Sequence, residues 1–160
     1  MKNCALVRTR YMGWVVAAAM GCLFFVGANR SARAADAPTR SARLSYVQGS
    51  VTVDQVDNTG SDPAQLNMPL AQGVRVTTGA DGQAEIEFED GSLMRLTPNS
   101  SLGLTDLTAD GSGNFQTRLT LGYGLAYAEL RAADKFAYSV DAGGAIVSPV
   151  SNATVRIDMD

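Results

Sequence analysis

The run Gly82–Leu107, GQAEIEFEDGSLMRLTPNSSLGLTDL, constrains the fold more tightly than any other part of the chain. Ala84, Ile86 and Phe88 alternate with Glu85, Glu87 and Glu89, so an extended strand puts the apolar set on one face and three carboxylates on the other. Asp90-Gly91 predicts a two-residue type I′ hairpin turn, whose two central positions need positive φ. Leu93-Met94-Arg95-Leu96 is the return strand, Pro98-Asn99 a second corner, and Leu102, Leu104 and Leu107 begin another short strand. The three glutamates invite readings as calcium ligands or as an acid and base pair. Their strict alternation with apolar residues makes them the solvated face of a half-buried strand instead.

The same grammar runs through the rest of the chain. Leu44, Tyr46 and Val47 begin a strand that either bends or turns at Gly49-Ser50 before Val51-Thr52-Val53. Gln55 to Met68 reads as an exposed loop, with Asp57, Asn58, Gly60, Ser61, Asp62 and Pro63 clustered in it. Val74 to Thr77 is another strand, ending in a turn over Thr78 to Gly82. Beyond the Gly-rich loop 108–114, Phe115, Thr117, Leu119 and Leu121 share a face, Gly122-Tyr123-Gly124 turns the chain, and Leu125 and Tyr127 continue with period two. Ala126 to Asp134 carries good helix formers, yet its flanks favour a strand. Phe136–Val140, Ala145–Val147 and Ala153–Ile157 complete the series. Short antiparallel strands with turn signals every eight to twelve residues predict an all-β domain, sandwich- or solenoid-like, over 43–160.

The first 34 residues read differently. Lys2, Arg8 and Arg10 precede an uncharged apolar run from Tyr11 to Ala28, and Ala32-Arg33-Ala34 has the small-x-small form of a cleavage site. An export signal over 1–34 is expected, the alternative being an uncleaved anchor in the inner membrane. Residues 35–42, with Pro38, read as a flexible tether. The expected location is periplasmic or secreted, with membrane contact only through the apolar segment if it is retained. At the other end Val155, Ile157 and Met159 alternate up to Asp160 without a turn, which reads as a fragment's end or as an open edge.

Composition narrows the chemistry. The chain has no histidine, and both cysteines, Cys4 and Cys22, precede the domain. Histidine-based triads, thiol nucleophiles, typical zinc sites and internal disulfides therefore lack their parts. No catalytic, metal or cofactor residue is assigned. After Ala34 eight basic residues face sixteen acids, leaving minus eight, which argues against nucleic acid and anionic lipid as partners. Tyr123, Tyr127 and Tyr138 are the aromatics that would serve a protein or glycan surface, because flat rings stack and anchor interfaces, although packing in the core or at its rim is the commoner fate of tyrosines in strands.

Gly49-Ser50-Val51-Thr52-Val53, the Thr78-Gly79 turn, the run Asp90-Gly91-Ser92-Leu93-Met94-Arg95-Leu96-Thr97-Pro98-Asn99-Ser100 and Leu121-Gly122-Tyr123-Gly124 resemble the FecR domain, named for the ferric-citrate transport regulator. The resemblance spans Leu44 to Ile157. It implies a β-rich extracytoplasmic domain; in the founding type this part senses the state of an outer-membrane transporter. Residues 1–10 are too short for the cytoplasmic sigma-regulating domain of that type, so the expectation is the exported module alone. The expected function is non-catalytic binding or sensing in the bacterial envelope through an unidentified envelope protein. The alternative is a structural or cell-wall protein that binds glycan.

Overall fold

The computed structural model describes residues 40–55, 60–131 and 135–159, and all regular structure among them is β. The export segment expected over 1–34 lies outside these residues, as does the tether up to residue 39. Twelve strands follow in order: β1 Ala42–Gln48, β2 Val51–Asp54, β3 Ser61–Pro63, β4 Pro69–Leu70, β5 Arg75–Thr78, β6 Gln83–Glu87, β7 Leu93–Leu96, β8 Ser101–Ala109, β9 Phe115–Leu130, β10 Phe136–Ala142, β11 Ala145–Val147 and β12 Ala153–Met159. They form one curled, half-barrel sheet with two wings that share β9. The first wing runs β4-β1-β6-β7-β9-β12 and the second β3-β2-β5-β8-β9-β10-β11.

The bend in β9 is forced by arithmetic. Sixteen residues laid straight would span about 50 Å. Yet Phe136, six steps after Leu130, pairs in parallel with Phe115 at the start of the same strand, and six steps reach only about 20 Å. The strand must fold back on itself. Gly124, at φ 84°, supplies the bend. The turn expected at Gly122-Tyr123-Gly124 is therefore a kink inside one long strand, because Ser101 and Leu102 continue to pair with Tyr123 and Leu121 across it. Pairing is antiparallel throughout except at β9 and β10, a departure from the short antiparallel hairpins read from the sequence.

Each main pass of the chain changes wing at the same level. β1 gives way to β2 at Gly49-Ser50, β5 to β6 over 79–82, β7 to β8 over 97–100, and β9 crosses at 122–124. Backbone bonds stitch this seam: the Gly79 N–H donates to Ser50 O (2.7 Å), Asn99 N–H to Gly79 O (3.0 Å) and Thr78 N–H to Ser100 O (2.9 Å). The inner faces of both wings then meet. Leu44, Ile86, Met94 and Ala128 of the first wing and Val53, Val76, Leu104, Leu119 and Val140 of the second are all but sealed from solvent. Burial of each such leucine or isoleucine contributes about 2 kcal/mol.

The sequence expectation for the hairpin needs one revision. Phe88 N–H donates to Ser92 O and Gly91 N–H to Phe88 O, both 2.9 Å, and of the turn residues only Gly91 has positive φ. This is a three-residue loop closed by a left-handed glycine, not a two-residue type I′ turn. The cause is Asp90, whose carboxylate closes an Asx turn onto the Ser92 N–H (2.9 Å) and leaves Gly91 alone at positive φ. The end of the expected tether is also corrected: Ala42 belongs to β1, and Arg40 is 4 % exposed. The loop expected over 55–68 contains the short edge strand β3.

Candidate functional site

The residues that carry the family resemblance gather at two places. Asp90 and Ser92 sit at the free end of the first wing. Besides the Ser92 N–H, Asp90 accepts the Ser92 hydroxyl (2.9 Å) and the Tyr138 hydroxyl (2.7 Å), while Ser92 Oγ accepts the Arg131 N–H (2.8 Å). The turn is thereby tied to β10 of the other wing and to the end of β9. Phe88 reinforces the tie by meeting the Tyr138 ring edge-on, with centroids 5.7 Å apart.

Pro98, Asn99, Ser100 and Gly122 belong to the seam. Buried Ser100 exchanges bonds with Leu125, its Oγ accepting from the N–H (3.0 Å) and donating to the carbonyl (3.1 Å). Its own N–H donates to Thr78 Oγ1 (2.9 Å). Asn99 takes a left-handed φ of 53°, which an asparagine tolerates better than most residues. Leu96 points into the core, and Arg95 lies on the outer face of the first wing, where it reaches Glu85 (2.6 Å) and Glu129.

The three glutamates lie on that outer face, and each has its own arginine: Glu85 has Arg95, Glu87 has Arg43 (2.5 Å) and Glu89 has Arg40 (3.1 Å). They diverge along the strand rather than converge on a point. Asp110 closes the next loop in the same way, accepting from the Ser112 N–H, the Asn114 N–H and the Asn114 amide. Those bonds, with Asn114 foremost, hold its carboxyl below the usual range. Among the described residues no three His, Cys, Asp or Glu side chains gather as a metal site would require.

Of the three tyrosines, Tyr123 and Tyr127 are exposed, and Tyr138 is not. Its expected surface role is corrected by the parity of β10, which turns Tyr138 and Val140 inward. Burial, reinforced by Asp90 and opposed by Ser92, holds its hydroxyl well above the ordinary value of 10. The unfolded tyrosine ionises near that value and the folded one does not, so this stabilisation is complete below pH 10 and is lost as pH rises toward the folded pKa. Denaturant midpoints measured from about pH 8 to 11 should fall at the alkaline end. They should fall less in Tyr138→Phe; an identical alkaline decline would refute the assignment.

The FecR protein family matches this chain over residues 74–158. The chain belongs to the FecR family. No curated protein and no solved structure matches it. FecR domains are regulatory and non-catalytic, are known from envelope signalling, and are extracytoplasmic in envelope regulators. The match begins at Val74, so it takes in β5 to β12 and leaves out β1 to β4, although β1 pairs with β6 and β2 with β5. In this FecR domain the signature residues Asp90, Ser92 and Ser100 hold the hairpin turn and the seam together.

Sequence reasoning missed Arg40. Its guanidinium donates to Gln116 O (2.8 Å), Thr108 O (3.2 Å) and Thr117 Oγ1 (3.3 Å) in the second wing, and its Nε to Glu89 in the first. It also lies over the Phe115 ring at 4.9 Å. Arg40 thus clasps the wings at the end remote from the seam.

Proposed function

We infer that this FecR domain is a non-catalytic binding or sensing module of the bacterial envelope, periplasmic or secreted, that works by protein contact and takes its partner as an added strand on β12. The observation that carries this reading is the free edge of β12. Soluble proteins keep sheet edges short or covered. β3, β4 and β11 follow that rule with three, two and three residues, whereas β12 has seven and, among the described residues, pairs only with β9.

A partner strand laid there would gain a row of main-chain hydrogen bonds, the mode by which extended peptides join open sheets. Arg156 and Asp158 pair with each other at 2.6 Å along the strand, so neither is left as an uncompensated charge to repel it. A photo-crosslinking residue at Asp158 should give one discrete adduct in intact cells, and the same residue at Arg118 on the other wing should give none. Adducts from neither position, or equally from both, would overturn the reading.

A further inference from the structure

The outer faces of the two wings differ in a way that points to a second site. On the first wing the charges are spent on one another, as in the Glu85–Arg95–Glu129 ladder. On the second, a groove of about 600 Å³ opens across β2, β5, β8 and β9, within the usual range of roughly 300–1,000 Å³ for ligand sites. Its floor is bare backbone at Gly103. A Cβ built there would meet nothing nearer than 3.9 Å, and the backbone is not left-handed. The fold does not require glycine at that point; what glycine provides is room.

Two bulges bracket the groove. Between Leu104 and Asp106 the register gains Thr105, and between Leu121 and Tyr123 it gains Gly122. Bulges re-aim neighbouring side chains. Tyr123 beside the second one is 49 % exposed at the groove's rim. Asp54 and Arg75 stand opposite each other on β2 and β5 without closing an ion pair, and the hydroxyls of Thr105 and Thr120 bond at 2.7 Å.

We propose that this groove binds a neutral saccharide, with Tyr123 as the stacking platform and Asp54, Arg75 and Thr120 as partners for its hydroxyls. An exposed ring offers an apolar face of the size of a pyranose. Beside it lie an acceptor carboxylate and a donor fork, which together suit hydroxyls that both give and take hydrogen bonds. The lining has no large apolar side chain open to solvent except Tyr123, so a lipid or a hydrophobic peptide would find no anchor. The excess of acidic residues after Ala34 disfavours polyanionic glycans. The groove opens on the second wing and strand addition would use the outer edge of β12 on the first, so the two stand or fall independently, although Tyr123 directly precedes Gly124, the partner of Met159 in β12.

The test is titration of the ¹⁵N-labelled protein with neutral tetrasaccharides of glucose and of N-acetylglucosamine. Amide shifts should cluster at Gly103, Thr120, Gly122 and Tyr123. Tyr123→Ala and Gly103→Val should each weaken binding about tenfold or more at an unchanged melting temperature, which corresponds to about 1.4 kcal/mol, and Tyr127→Ala should have no effect. The proposal is overturned if neither sugar shifts those amides, if the shifts survive both groove substitutions, or if a sulfated polysaccharide or an unrelated peptide binds there more tightly.

Discussion

Replacing Gly124 with alanine is expected to destabilise the domain by about 3 kcal/mol or more, while the same change at Gly122, two residues away, is expected to cost under about 1 kcal/mol. At Gly124 the backbone is left-handed, and an added Cβ would collide with the Asn99 carbonyl and the Ser100 hydroxyl and sit 2.6 Å from Ser100 Cα. Those atoms belong to the seam, where the Ser100 hydroxyl is held by Leu125 and the Asn99 N–H by the Gly79 carbonyl, so nothing there can yield cheaply. At Gly122 the nearest atom is 3.7 Å away and φ is not positive. For a domain of this size each kcal/mol moves the melting temperature by about 4 °C. Gly124→Ala should therefore melt roughly 10 °C or more below the parent, and equal melting temperatures for the two variants would refute the kink in β9.

The second large effect is expected at Arg40. Arg40→Ala removes the fork that holds Thr108, Gln116 and Thr117 to the first wing, and leaves two backbone carbonyls and a hollow beside Phe115. A loss of about 3 kcal/mol is expected. Arg40→Lys should recover only part of it, because an ammonium cannot span three acceptors with planar geometry. Most of the loss comes from the second wing: Glu89 keeps 39 % of its side chain in solvent, so Glu89→Gln should cost under about 1 kcal/mol. Denaturant titration of the three variants decides it. A Glu89→Gln protein as unstable as Arg40→Ala would show that the ion pair, not the fork, is the clasp.

Both positions illustrate what the sequence does and does not disclose. Alternation in Ala84 to Glu89 was legible because one face of that strand is buried and the other is wet, and a strand has no other way to read. Tyr138 was legible too: it shares its parity with Phe136 and Val140, and packing inward is the commoner fate of a strand tyrosine. Gly122-Tyr123-Gly124 was not. Glycines serve a turn and a kink equally well, and what separates the two is whether Ser100 packs on Gly124, a contact between residues 24 positions apart. Arg40 looked like any arginine in a polar leader. The groove was also closed to sequence reading, since Asp54, Arg75, Gly103 and Thr120 come from four strands and meet only once the register is known.

The shared strand β9 also has a bearing on the order in which the domain can form. A chain is made from its N-terminus, so β1 to β8 are complete before the strand that both wings are built around exists. β7 and β8 then expose the edges that β9 will later cover, and β10 and β12 have nothing to pair with until it is in place. Contacts this distant along the chain are slow to close. Neither wing can therefore mature ahead of the other, because both are completed only when β9 is in place.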